Sequence, residues 1–226
     1  MTLETYKLIE AHMLEKMEGT DYAHDSGHVY RVLSNVLILK ESYELDLEVL
    51  LPACLLHDIG RMAEFHDPEV DHALAGADMA YEFLISIGYA EELAITIKKC
   101  IASHRFSAGD IPETMEEKIL FDADKLDLTG SMAIARSILA GVAYNEPLYV
   151  YEAGGTVSDG LAEDEISFMS FYNKRLKDVE NRLFTEEARQ IAAKRIGFVD
   201  SFYNAMVDEI LVPQTQTLDK LNEILK

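Results

Sequence analysis

The chain has 226 residues, enough for one domain with a sizeable core, and its 49% apolar and 27% charged residues fit a globule rather than a disordered chain. Twenty basic residues against 41 acidic ones leave a net charge of −21, and no Lys/Arg run could track a phosphate backbone. A nucleic-acid polymer or an anionic membrane surface is therefore excluded as a partner, whereas a small anion is allowed wherever a metal ion neutralises it locally.

Period-2 alternation is nearly absent and 3.6-residue periodicity recurs throughout, which predicts an all-α fold. Leu3 to Met17 reads as an amphipathic opening helix. A second spans about Gly27 to Tyr43, with Val29, Val32, Leu33, Val36 and Leu37 on one stripe and Asp25 or Ser26 as N-cap. Leu47 to Asp58 is apolar nearly all round and is expected at the centre of the core, with Gly60 as its stop. Further helices follow at about Asp71 to Ile87, Glu91 to Ser103, Glu113 to Leu128 and Ser131 to Val142. Asn145 to Asp164 carries Pro147, Gly154, Gly155, Gly160 and neighbouring tyrosines, and reads as a long loop, either a lid or a surface excursion. Helices at about Glu165 to Phe184 and Thr185 to Leu211 come next, then an amphipathic tail after Pro213 with Leu218, Leu221 and Leu225. That tail would pack on the domain or on a second subunit, so a homo-oligomer stays open.

The longest uncharged apolar stretch, Val49 to Leu56, is far too short to cross a bilayer. The first residues carry neither a basic leader nor an apolar signal core, which points to the cytoplasm. Cys54 and Cys100 each lie in an apolar helical pattern and are expected to be reduced, buried and structural.

Chemistry concentrates on the histidines. His28 opens the second helix, His57 and Asp58 close the most apolar one, His72 opens another, His104 ends the next, and Asp122 and Asp124 lie in Phe-Asp-Ala-Asp-Lys. A His and an Asp at the end of an apolar helix are costly unless paired or coordinated. Imidazole and carboxylate donors without thiolates suit Mn, Fe, Co, Ni or Zn rather than a structural cysteine-type zinc site.

The ordered set His28, His57-Asp58, Asp124 resembles the H…HD…D signature of the HD-domain superfamily of metal-dependent phosphohydrolases. Ala-His-Asp-Ser-Gly-His-Val-Tyr-Arg-Val (23–32), Leu-Leu-His-Asp-Ile-Gly (55–60) and Ile-Leu-Phe-Asp-Ala-Asp-Lys-Leu-Asp (119–127) are similar to the small stand-alone bacterial HD hydrolases. The resemblance covers about residues 20–210. It implies a compact multi-helix HD-domain bundle with a C-terminal helical extension: one domain over 1–212, with the HD core at about 20–145, the extension at about 164–212 and the tail at 213–226.

By the same resemblance His28, His57, Asp58 and Asp124 would hold a divalent metal (Mn, Fe, Co, Ni, Zn or Mg). Asp124 is chosen over Asp122 because the family's last ligand directly precedes a basic residue. His72 and His104 sit where two-metal members place two more histidines, with Asp58 bridging the ions; each could instead cap a helix or bind phosphate directly. The chain lacks the Gly-Tyr-Pro element of the cyclic di-GMP branch. It has Arg61 where single-metal members carry a catalytic acid.

Asp58, Lys125 and Arg31 are the catalytic candidates, and Arg31, Lys125, His24 and His104 the substrate-binding ones. Arg31 shares a helix face with His28, and would hold a phosphate oxygen or a structural ion pair. His24 would cap or face substrate. The expected activity is hydrolysis of a phosphoester or phosphoanhydride, in a nucleotide, by a metal-activated water. The alternatives are a mixed-valence di-iron oxygenase on the same fold and a non-catalytic nucleotide sensor.

Overall fold

The computed structural model describes residues 1–19, 23–105, 111–152 and 156–226, and leaves aside the side chains of 211–216 and 218–219. It is all-α: among the described residues there is no strand, only an isolated bridge between Tyr151 and Val157. The helices are α1 (Leu3–Lys16), α2 (Ser26–Leu39), α3 (Leu47–Leu56), α4 (Arg61–His66), α5 (His72–Ser86), α6 (Glu91–Ala102), α7 (Met115–Leu126), α8 (Gly130–Ala143), α9 (Phe168–Phe171) and α10 (Glu186–Ile224). No single one is long and apolar enough to cross a membrane.

The chain divides into two compact units: Met1–Asp127 with Arg182–Ile191, and Leu128–Asn181 with Ala192–Lys226. In the first, α3 is the hub, packing against α1, α2, α5, α6 and α7. Leu50, Ala53, Cys54, Leu55 and Leu56 are fully buried, as an all-round apolar helix requires. Helices α2, α5 and α7 each start where a side chain satisfies free amides. Asp25 accepts from the His28 amide at α2, Asp71 from Ala73 and Leu74 at α5, and Thr114 forms a capping box with Glu117 at α7. These caps matter for chemistry, because they fix His28 and His72 on first turns.

Between α3 and α5 the backbone is drawn tight. Residues 57–60 form a turn, and α4 follows at once, a helix absent from the sequence expectation of a simple stop at Gly60. A Cβ on Gly60 would overlap the carbonyl oxygen of His72 and lie 2.6 Å from the Gly76 amide nitrogen. On Gly76 it would lie 3.1 Å from the Gly60 nitrogen and 3.4 Å from the His57 oxygen. The two glycines let the turn carrying His57 and Asp58 rest directly on α5.

In the second unit Ala133, Ile134, Phe168, Tyr172, Leu176 and Val199 form a core cluster. The long helix expected over 165–184 is broken: after α9 come a π turn (Tyr172–Leu176) and a 3-10 turn (Val179–Arg182). Tyr172 explains part of this, since its ring stacks on Tyr203 at 3.7 Å and its hydroxyl donates to Asp200 at 2.7 Å. Irregular turns keep Phe168, Tyr172, Leu176 and Val179 buried while accommodating that anchor.

The 145–164 segment, read as a loop, is tied down, although Gly154 and Gly155 lie outside the described residues. Phe168 and Met169 amides donate to the Pro147 and Leu148 carbonyls at 3.0 and 3.1 Å, and Lys174 Nζ donates to the carbonyls of Ala162, Glu163 and Glu165. The final helix does not stop before Pro213 as expected but continues to Ile224, a loss of one ladder hydrogen bond within an otherwise regular run.

Replacing Gly60 by Ala should destabilise the fold by about 3 kcal/mol, at or above the upper end for overpacking, because the new methyl meets backbone rather than a movable side chain. Urea unfolding would read it; a loss under ~1 kcal/mol would contradict the close approach.

Candidate metal centre

The centre lies wholly in the first unit and is built from helix ends. His57 is the C-cap of α3, and its Nδ1 donates to the Cys54 carbonyl at 2.8 Å. His104, just past α6, does the same to Ile101 at 2.6 Å. His72 Nδ1 lies 2.7 Å from Glu64 Oε2, and His28 Nδ1 lies 2.8 Å from Asp127 Oδ2. Carbonyls only accept, so Nδ1 carries the proton in His57 and His104; the carboxylates select the same tautomer in the other two. All four histidines therefore turn an Nε2 lone pair inward.

Those lone pairs converge on one carboxylate. Asp58 Oδ2 is 3.4 Å from His28 Nε2 and 3.7 Å from His57 Nε2, and Oδ1 is 3.5 Å from His72 Nε2 and 3.6 Å from His104 Nε2. Asp124 Oδ1 adds a further oxygen 3.2 Å from His28 Nε2. The Nε2 atoms of His28 and His57 stand 3.4 Å apart. Two acceptor groups of potential ligands result, His28–His57–Asp58 and Asp58–His72–His104, each with its donor atoms within 4.8 Å of one another.

Asp58 Oδ2, His72 Nε2 and His104 Nε2 are buried without a hydrogen-bond partner. Buried acceptors facing one another without protons are unfavourable, and a cation among them removes the conflict. The residues fit a divalent ion, with each ligand ring oriented by an oxygen on its far side.

Electrostatics agree with that reading. Burial lowers His57 to about 3 and His72 to about 4, so both imidazoles are neutral and ligand-competent at pH 7. Burial pushes Asp58 up, but Arg61 and His57 more than offset it and hold the carboxyl well below its usual range. Asp124 behaves likewise, with Lys125 and His28 offsetting burial.

Of the other residues singled out from sequence, Lys125 Nζ lies 2.6 Å from Asp124 Oδ2 and above the Phe121 ring. Arg31 is locked on Asp127 through two hydrogen bonds of 2.8 and 3.0 Å. His24 stands half-buried, edge-on to His28 with ring centroids 6.4 Å apart. Asp122 points away from the centre and accepts from the Phe184 and Thr185 amides and the Thr185 hydroxyl, anchoring the start of α10.

Three supporting residues had no assigned role in the sequence: Asp127, Glu64 and Arg61. Asp127 follows Asp124 by three positions on a helix, so both face one side, a signal that spacing does contain. Glu64 has no such signal, since it reaches His72 only through the turn at 57–60 and α4.

This constellation on an all-α frame is that of a known class. Residues 26–129, which include His28, His57, Asp58, His72, His104 and Asp124, match the HD domain model, so this segment of the chain is an HD domain. YpgQ of Bacillus subtilis is 28% identical over 193 residues, covering 83% of this chain and 84% of that protein. The crystal structure of YpgQ in complex with ADP aligns with a TM-score of 0.69 at 22% identity, over 92% of this chain and 96% of that one. A Lactobacillus plantarum protein aligns at 0.73 and 20% identity over 92% and 98% of the two chains. An HD superfamily hydrolase from an uncultured Thermotogales bacterium, so named from prediction, aligns at 0.58 and 28% identity over 92% of both. The fold is that of the HD-superfamily hydrolases.

Replacing Asp127 by Asn should leave the fold intact and weaken metal binding ~10–100-fold, the usual effect of losing an outer partner of a ligating histidine. Calorimetric titration with Mn²⁺ checks this, and unchanged affinity would contradict it.

A second expectation concerns pH. His57 and His72 stay neutral in the fold, whereas in the unfolded chain they protonate near the ordinary 6.5. The unfolded state then binds more protons below that pH, so stability is full above about pH 6.5 and falls progressively toward pH 4 and below. The chelated protein should lose a little over ~1 kcal/mol per pH unit for each of the two histidines across that window. Melting temperatures between pH 7.5 and 4.5 measure it, and a flat profile would refute it.

Proposed function

We propose that this chain is a metal-dependent phosphohydrolase that cleaves a phosphoester or phosphoanhydride bond of a nucleotide, using one divalent ion held by His28, His57, Asp58 and Asp124. The observation that carries the reading is the convergence of inward-facing Nε2 atoms on the buried Asp58 carboxylate, whose Oδ2, facing His28 and His57, has no hydrogen-bond partner. An ion bound there supplies a Lewis acid for phosphoryl oxygens and makes a water acidic enough to attack at neutral pH.

The protein's own groups do the rest. Asp58 is the anionic centre about which the ligands are arranged. Lys125 holds Asp124 in place and presents a buried ammonium that orients phosphoryl oxygens. Arg31 clamps Asp127 and thereby the His28 ring, with part of its guanidinium exposed toward an anionic substrate. His24, next to His28, and His104 serve as substrate contacts. Together with Arg61 and Arg105, these cations reverse locally the repulsion that a net charge of −21 would exert on a phosphate.

The nucleotide class is supported by the ADP complex of YpgQ, to which this chain is related over most of its length. Purified without a chelating column and supplied with Mn²⁺, the protein should turn over one or more members of a panel of mono-, di-, tri- and dinucleoside phosphates. Phosphorus NMR would identify the product as phosphate, pyrophosphate or triphosphate, and so the bond cleaved. Asp58→Ala should lose both metal binding and at least ~10³-fold in turnover, in line with removing a group that acts as a unit with the metal. Full activity in that variant would sink the proposal.

A further inference from the structure

The two ligand groups around Asp58 are not equivalent, and the difference lies in Arg61. We infer that the Arg61 guanidinium takes the place of a second metal ion, so that the centre binds one divalent ion, at the His28–His57 side, and the His72–His104 side is neutralised by a fixed side chain. This inference rests on the metal-hydrolase reading above.

The Asp58 carboxylate is shared unevenly. Oδ2, which faces His28 and His57, has no hydrogen-bond partner, whereas Oδ1, which faces His72 and His104, accepts from Arg61 Nε at 2.9 Å. An ion on the second side would find the unpaired Nε2 atoms of His72 and His104, but would need the carboxylate oxygen that the guanidinium already engages. Arg61 is itself held: it lies in the first turn of α4, three residues after Asp58, and its Nη1 donates to Glu64 Oε2 at 3.3 Å. Its side chain is only 20% exposed.

Charge separates the sides further. The His28–His57 side has a second carboxylate in Asp124. The His72–His104 side has a second guanidinium beside Arg61, because Arg105 Nη1 sits 2.7 Å from Glu64, 3.2 Å from Asp71 Oδ2 and 3.3 Å from His72 Nδ1. Glu64, the carboxylate nearest that side, is consumed by His72, Arg61 and Arg105 together. A dication entering there would meet two guanidiniums whose partners, Glu64 and Asp71, are already engaged in ion pairs, and would share the Asp58 carboxylate with one of them. A guanidinium is never deprotonated in proteins, so this neutralisation does not depend on metal supply. Its Nη2 makes no hydrogen bond to the described residues and can donate to an anionic oxygen of the substrate, the duty a second ion would otherwise perform.

The test is a count of ions. Mn²⁺ added to the chelator-stripped protein is followed by electron paramagnetic resonance of the free ion, for the wild type and for Arg61→Gln, Arg61→Lys, His72→Ala and the Arg61→Gln/His72→Ala double variant. One ion per chain is expected for the wild type, unchanged in His72→Ala and in Arg61→Lys, which keeps the charge. Two are expected for Arg61→Gln, returning to one in the double variant. Two ions in the wild type, an ion lost on His72→Ala alone, or one ion in folded Arg61→Gln would each overturn the inference. Should Arg61→Gln not fold, the comparison of wild type with His72→Ala still decides. No ion bound to folded wild type would instead overturn the metal-hydrolase reading itself.

Discussion

The rest of the candidate site hangs on one buried carboxylate. Asp58 has almost no exposure, yet it stays ionised because four imidazoles and an arginine surround it. An isolated carboxylate at that depth would protonate or disrupt the core. Its surroundings explain why the most apolar helix of the chain ends where it does. α3 supplies the hydrophobic wall that makes the site dry, and the turn after it delivers the charge. The flanking helices then contribute one group each from a terminus, where backbone freedom lets a side chain turn toward a neighbour.

The outer ring of oxygens gives this arrangement its precision. Two histidines are oriented by carbonyls three residues back in their own chain segment, and two by carboxylates from elsewhere in the fold. The local pair needs only correct helix ends. The other pair depends on tertiary packing: Asp127 on α2 meeting α7, and Glu64 on α4 meeting α5. Mutational sensitivity should therefore spread well beyond the four histidines and Asp58, to the residues that orient them.

Much of this was legible in the sequence because it followed from periodicity and order. The amphipathic stripes placed seven helices to within a few residues, and the order of His28, His57-Asp58 and Asp124 pointed to the family that the HD domain match shows. What escaped was non-local. Glu64 and Arg61 sit in α4, a helix of six residues too short to show a period, and their partners are reached through a turn. The break after Phe171 was hidden because Phe168, Tyr172, Leu176 and Val179 keep helix-like spacing even though the backbone does not stay α-helical. Spacing alone does not separate Asp122 from Asp124; the family pattern chose Asp124, and the fold brings it beside His28 while Asp122, two residues away and so on nearly the opposite helix face, holds the start of α10.

The contact between Gly60 and Gly76 has a consequence for the room beside Asp58. Distances across most protein sites are set by side chains, which can shift rotamer to suit a larger or smaller ion. Here the turn bearing Asp58 rests on the helix bearing His72 by main chain against main chain, with no rotamer between them to adjust. The span from the Asp58 backbone to the His72 backbone is accordingly fixed, and only those two side chains can adjust within it. Substitution elsewhere in the core can change stability freely while this gauge stays fixed, and the space open to the Arg61 guanidinium between Asp58 and Glu64 becomes a property of the fold's skeleton.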